Sequence, residues 1–457
     1  MKFHQKKRMS CWVVLMPMVL ALGLVACGKE PASGGGSKPA TGPTTGILTD
    51  TEVSGVAYLG SSGVAGTTSE SGVYSYNHGD TVEFKLGSLI IGKVKATPIV
   101  TPIELAADSS ARLQNLLILL QSLDSDGNPE NGISIPANAA AAVSAAINLD
   151  SDPAAFVVSA ELQKVRAAGG IAGDVRTAEQ ANAHFLSQGM KLLSTDIWVN
   201  YDDTFANAIR TSTAGTGEYL QGEATPEDFC DANRVCGSRV VSKAGVEYGA
   251  AKVSEFDTRG FKFVGAPVID TNLQAGLSHP RPNWRIRVDG SALVATDIVA
   301  APSELRPATS AFKPGALIIT SVEGPTKTIV KETRFSRMEN DPSGIIGAWA
   351  LDMATIKTQT FLFFSNGKFL MVDPIGELES AGHASCGGPG IEFAAYTHDA
   401  VTKTLSIKGF TYDTNGCAGF STNEATAFKL GADGNSATLE TKNGTAITLH
   451  RISKGRL

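Results

Sequence analysis

Two nonapeptides in this 457-residue chain are near copies, DTNLQAGLS at 270–278 and DTNGCAGFS at 413–421. Further landmarks extend the match outward in the same order. GVEYGA (245–250) corresponds to GIEFAA (390–395), which sets Glu247 and Glu392 23 and 21 residues before Asp270 and Asp413. GEYL (217–220) corresponds to GKFL (367–370), Asp289-Gly290 to Asp433-Gly434, and Arg334-Phe335-Ser336 to Arg451-Ile452-Ser453. Landmarks in constant order mark two copies of one unit, residues 197–340 and 341–457. Two copies are too few for a solenoid. The short strands, glycines and turn dipeptides beyond Trp198 make each an antiparallel β-barrel or β-sandwich, standing alone or packed on the other.

Upstream the pattern changes twice. Residues 27–46, almost wholly Gly, Pro, Ser, Thr, Ala and Lys, have too little apolar surface to offset their ordering entropy and read as a flexible tether. Residues 47–102 hold short runs of alternating polarity, such as Val82-Glu83-Phe84-Lys85-Leu86, punctuated by the turns SSG and NHGD. Their glycine spacing, GV…G.T…G.Y.Y..GD.V.F, resembles the carboxypeptidase-regulatory-like modules of bacterial surface proteins, which implies a small β-sandwich-like module. From Ile103 the period lengthens: Leu105, Leu113, Leu116, Leu117, Leu120 and Leu123 lie near one helical face, with Asp108 or Ser109 as N-cap. ANAAAAVSAAINL (137–149) and TAEQANAHFLSQGMKLL (177–193) continue as helical candidates, giving a small helical domain over 103–196. The expected fold is therefore mainly β with that helical domain between the N-terminal module and the two related β domains.

The chain opens with a basic end, Lys2, Lys6, Lys7 and Arg8, and an apolar run from Cys11 to Ala26 interrupted by Pro17. That run is shorter than the ~20 residues a bilayer-spanning helix needs, so residues 1–26 read as a signal peptide. It ends in Leu24-Val25-Ala26-Cys27, which resembles the lipobox of bacterial lipoproteins. The resemblance implies cleavage before Cys27 and acylation of that cysteine, several acyl chains holding more firmly than one. Gly28 stands where inner-membrane lipoproteins carry Asp, which by the family's habit implies the outer membrane. The segment LLQSLDSDGNPENGI also looks like one in other proteobacterial lipoproteins with a similar N-terminal module, often labelled adhesins.

Beyond residue 26 the chain keeps 35 Lys and Arg against 45 Asp and Glu, a net charge of −10. Nucleic acid is not an expected partner for so acidic a chain. Four cysteines remain besides Cys27, in two local pairs, Cys230 with Cys236 and Cys386 with Cys417. An even count in an oxidising compartment points to two disulfides; the alternative, a metal site, lacks histidines at zinc-finger spacing.

Four stretches carry candidate chemistry. GSLIIGKV (87–94) falls one residue short of a phosphate-binding loop, with Val94 in place of the hydroxyl, and reads better as a turn between strands. GHASCGG (382–388) sets His383 beside Ser385, but the chain has no Gly-x-Ser-x-Gly elbow. LDSDGNPENG offers Asp124, Asp126, Asn128 and Asn131 as oxygen ligands for calcium; Pro129 and Ile135 depart from the EF-hand pattern, and a polar helix-ending turn is the other reading. Glu247 with Asp270 and Asn272, and Glu392 with Asp413 and Asn415, form a repeated carboxylate and amide cluster. It could bind a cation or sugar, or supply acid and base. Alternatively Asp and Asn bond a tight turn's own backbone while Glu braces the strand ends, the reading favoured because turn glycines and apolar positions repeat with them. The expected function is a lipid-anchored cell-envelope protein that binds a surface, polymer or protein ligand without catalysis. The alternative is an exported hydrolase of an extracellular polymer, acting through the repeated carboxylates.

Overall fold

The computed structural model describes residues 41–453 apart from 214–216, 231–235, 243, 273–276, 278–283, 291, 301–317, 320–327 and 377–386. The chain is mainly β, with a short helical segment. The N-terminal module is a sandwich of two sheets. One holds Val73–Asn77, Pro43–Leu48 and Ile99–Val100; the other holds Ala65–Thr67, Ala57–Gly60, Thr81–Leu86 and Leu89–Lys95. Alternation fills the space between them: Tyr74, Tyr76, Val82, Phe84 and Leu86 are buried, and Tyr74 meets Phe84 edge-on at 5.1 Å. The first strand begins at Pro43, inside the expected tether, because the β-branched Thr44 and Thr45 pair with Tyr76 and Ser75. GSLIIGKV is a hairpin turn and the strand after it, Leu86 standing opposite Leu89.

The helices are α1 (Pro102–Leu105), α2 (Ser110–Ser122), α3 (Ala137–Ala142), α4 (Pro153–Val157), α5 (Ala160–Gly169) and α6 (Ala178–Leu193). Ser109 is the N-cap of α2, its hydroxyl accepting from the Arg112 N–H. Leu105 does not share the α2 face, because Ala107 and Asp108 adopt left-handed φ of 49° and 67° and break the helix ahead of it. ANAAAAVSAAINL is likewise helical only to Ala142. Val143 turns extended, buried, with its carbonyl taken by the Ser88 N–H, a tertiary contact that overrides the alanine-rich propensity. One continuous apolar core runs through the sandwich, the helices and the interior of the first β domain. Phe185 of α6 closes it, packing on Phe256 and Phe261 at 5.0 and 4.8 Å.

Both repeat copies are up-and-down barrels of eight main strands, and in the first a short ninth strand, Ile318–Ile319, pairs with Glu332 and Lys331 of the last. The first comprises β1 (Ile197–Tyr201), β2 (Ala206–Ser212), β3 (Glu218–Ala224), β4 (Gly245–Asp257), β5 (Gly260–Asp270), β6 (Trp284–Asp289), β7 (Ala292–Ala300) and β8 (Thr328–Arg337). It closes because β1 pairs with both β2 and β8. The second comprises β9 (Gly347–Ala350), β10 (Thr360–Phe363), β11 (Lys368–Asp373), β12 (Gly390–His398), β13 (Leu405–Asp413), β14 (Ala425–Leu430), β15 (Ser436–Thr441) and β16 (Ala446–Arg451). Here β9 pairs with both β10 and β16, while β13 and β14 meet at the single bridge Thr404–Ala427. The same seam is thin in the first copy, where β5 and β6 share two residue pairs, Phe261 with Ile286 and Lys262 with Arg285.

Register confirms the duplication strand by strand and corrects one landmark. Glu247 stands opposite Asp270 as Glu392 stands opposite Asp413. Trp198 stands opposite Arg337 as Trp349 stands opposite Arg451. The counterpart of Arg451 is therefore Arg337, three residues beyond Arg334; strand closure, rather than the Arg-x-Ser spelling, fixes the equivalence. Each of these arginines lies over its tryptophan, at 5.6 Å for Arg337 and 4.1 Å for Arg451. Each tryptophan in turn donates its indole N–H to a carbonyl just upstream, Leu193 or Ile345, at 2.9 Å.

The barrels pack side against side through equivalent strands, β1–β4 on β9–β12. Their outward residues Leu220, Val246 and Tyr248 share one buried cluster with Leu370, Ile391 and Phe393. The interior of the second barrel is a separate core rich in phenylalanine, including Phe361, Phe363, Phe369 and Phe428.

Candidate functional site

The repeated carboxylates point into the barrels, one position off the outward residues that join them. Glu247 is fully buried and accepts the Tyr219 hydroxyl at 3.0 Å. Glu392 is fully buried and accepts two backbone N–H groups, from Phe420 at 2.9 Å and Ser421 at 2.8 Å. Burial pushes the Glu392 carboxyl up to about 7, against the lowering pull of those two bonds.

The rest of each cluster braces the chain. Thr271 and Thr414, second in their nonapeptides, accept the N–H of Val246 and Ile391 at 2.9 Å through their hydroxyls. Their own N–H groups bond back to the carbonyls of the same residues at 3.0 and 2.9 Å. Asn272 is buried and donates to Glu223 at 3.4 Å; Asn415 is buried as well, and its amide finds no partner among the described residues. Asp413 is exposed, so the carboxylate opposite Glu392 does not share its buried environment. Each nonapeptide begins at the last residue of the strand on one side of the thin seam, and its eighth residue is buried. Leu277 and Phe420 are buried at equivalent places, the Leu277 N–H donating to Gln221 at 2.9 Å and the Phe420 ring packing on Phe361 and Phe369, each at 5.7 Å. This is a strand-end brace with an apolar plug.

The other sequence candidates fall as follows. Asp124 accepts the Ser134 N–H at 2.9 Å, and Asp126 accepts the Asn128 N–H at 2.9 Å and the Asn131 amide at 3.0 Å. These oxygens hold the turn after α2 together, and among the described residues no group of three His, Cys, Asp or Glu is placed to hold a metal ion. Cys417 is disulfide-bonded, whereas Cys386, its expected partner, lies outside the described residues together with His383 and Ser385. Cys230 and Cys236 are opposed in a hairpin between β3 and β4, and their side chains are outside the described ones, as is Cys27. No helix among the described residues is long and apolar enough to cross a membrane.

One buried polar cluster carries no periodic signal in the sequence. His184 of α6 stands between Glu130, 2.8 Å from its Nδ1, and Asp50, 3.8 Å from its Nε2. Gln121 donates to Asp50 at 2.9 Å. Burial raises the Asp50 carboxyl to about 6, opposed by His184 and Gln121. The cluster ties the sandwich, the turn after α2 and α6 at one point; its members lie up to 134 positions apart, so local spacing could not reveal it.

The fold and its braced interiors define a protein of two fused up-and-down barrels carried on a sandwich and helical base. No protein-family model, no curated protein and no solved structure matches the chain.

Proposed function

We propose that this is a membrane-anchored lipoprotein of the outer membrane, acylated at Cys27, that binds a surface, polymer or protein ligand in an adhesin-like role without catalysis. The observation that carries the non-catalytic part is the engagement of Glu392: both its oxygens are used by backbone N–H groups inside a packed barrel. A general acid or base must reach the proton it transfers, and a carboxylate spent on bracing a plug is poorly placed for that. The anchor rests on the basic end, apolar run and LVAC motif of residues 1–27. Disulfides Cys230–Cys236 and Cys386–Cys417 suit the oxidising compartment this implies.

Labelled palmitate is expected to enter the wild-type chain and not Cys27→Ala; a Cys27→Ala chain that stays firmly in the membrane would overturn the anchor. The purified protein is expected to leave ester and glycoside panels unhydrolysed. Hydrolysis that disappears in folded Glu392→Gln or Asp413→Asn would instead establish the polymer hydrolase.

A further inference from the structure

Where the sandwich meets the helices, three titratable groups converge with too few protons between them. Asp50, two residues beyond the strand Pro43–Leu48, is fully buried, and its Oδ2 accepts the Gln121 amide at 2.9 Å. Its Oδ1 stands 3.8 Å from Nε2 of His184 in α6, and neither atom has a hydrogen-bond partner among the described residues. The other ring nitrogen, Nδ1, lies 2.8 Å from Glu130 in the turn after α2. A neutral imidazole has one N–H, and Nδ1 is where a carboxylate accepts it. Nε2 then turns a lone pair toward a buried carboxylate oxygen, so two acceptors face each other without a donor.

The size of that gap decides what fills it. Two hydrogen bonds of about 2.8 Å meeting at a tetrahedral water set their partners about 4.6 Å apart, more than is available. Both atoms are shut off from solvent, and among the described residues no third His, Cys, Asp or Glu completes a metal site. A proton fits. It turns the gap into an imidazole–carboxylate hydrogen bond, drawing the atoms toward the roughly 2.7–2.9 Å of a charge-assisted pair.

The neighbours set the direction of the response. Among the described residues the charged groups facing His184 are Asp50 from the sandwich and Glu130 from the turn, both acidic. The helix α2 presents the uncharged Gln121, the first barrel meets α6 through the rings of Phe256 and Phe261, and Lys191, two turns along α6, acts on Glu130. Burial raises the Asp50 carboxyl from 3.8 to about 6, opposed by His184 and Gln121. The stability that this proton contributes is therefore full below pH 3.8 and is lost as pH rises through about 6. We propose that Asp50 and His184 form a proton-operated latch between the N-terminal sandwich and α6, fastened in acid and loosened when the pair gives up its shared proton. The continuous apolar core keeps these modules together at every pH, so the latch governs local opening of the junction and not their separation.

Hydrogen exchange on the full chain at pH 5 and pH 8, corrected for intrinsic rates, tests it. Protection of residues 47–55 and of α6 around His184 should fall about tenfold from pH 5 to pH 8, with β2 and β3 unchanged. Asp50→Asn supplies a permanent donor, since its amide N–H reaches toward Nε2 while its oxygen accepts from Gln121; protection there should stay at its pH 5 level throughout. The wild-type ring gives a reading that needs no folded Asp50 variant. The Nε2 nitrogen resonance of His184, assigned by its loss in His184→Gln, should move upfield between pH 8 and pH 5. An unmoved Nε2 resonance, or protection that falls equally in wild type and Asp50→Asn, would overturn the latch.

Discussion

Glu392 shows how one side chain sets the pH response of a barrel. Its carboxyl titrates at about 7 in the fold against 4.5 ordinarily, so between these values the folded chain holds a proton that the unfolded chain has released. The stability that this group contributes is full below pH 4.5 and is lost as pH rises through about 7. Asp50 and Glu104, raised to about 6 and about 7 by burial, act in the same direction. Glu392→Gln should remove up to about 1.4 kcal/mol per pH unit from the slope in this window. It should also cost about 1–3 kcal/mol at pH 5, because an amide nitrogen cannot accept from the second backbone N–H. Urea midpoints at pH 5 and pH 8 are expected to differ less in the variant than in wild type; parallel shifts would place the titration elsewhere.

At the scale of elements, the duplication was legible because glycine turns, inward glutamates and plug residues repeat as a set. GVEYGA and GIEFAA each alternate an outward apolar residue with an inward glutamate, and the nonapeptides that follow spell the brace. The choice between barrel and sandwich was not legible, since it depends on whether β1 finds β8, a pairing across more than 130 residues. The Arg451 landmark was misaligned for the same reason. The thin seam adds a consequence that no sequence pattern contains: a plug can stand in for missing strand pairs. Phe420→Ala should cost about 3–5 kcal/mol, and Leu277→Ala about 2–5 kcal/mol in its own barrel. The damage should be local. Hydrogen exchange in Phe420→Ala is expected to quicken first in β13 and β14, with β10 and β11 protected; uniform loss of protection would mean that the plug serves the whole barrel instead.

For the whole molecule, the meeting of equivalent strands means that each copy presents the other with its own counterpart, as in an isologous dimer held in one chain. Such an interface has a steric difficulty where a residue faces its equivalent, because two large side chains cannot occupy one place. The copies resolve it by diverging: position 222 is glycine and its counterpart, 372, is valine. A Cβ built on Gly222 would lie 2.2 Å from Cγ2 and 2.9 Å from Cγ1 of Val372, so the barrels approach closely only because that atom is missing. Gly222→Ala is therefore expected to push the shared apolar face apart, at about 1–3 kcal/mol, the range for overpacking a close-packed interior. Val372→Ala removes both clashing methyls and leaves Cβ 3.1 Å away, so it should recover part of that loss in the double variant although it destabilises the wild type as a cavity. The test is a double-mutant cycle on urea unfolding, with a coupling of about 0.5–3 kcal/mol expected between residues 150 positions apart in sequence. Additive effects would show that the barrels are joined by their linker and not by register, and the chain would then unfold barrel by barrel.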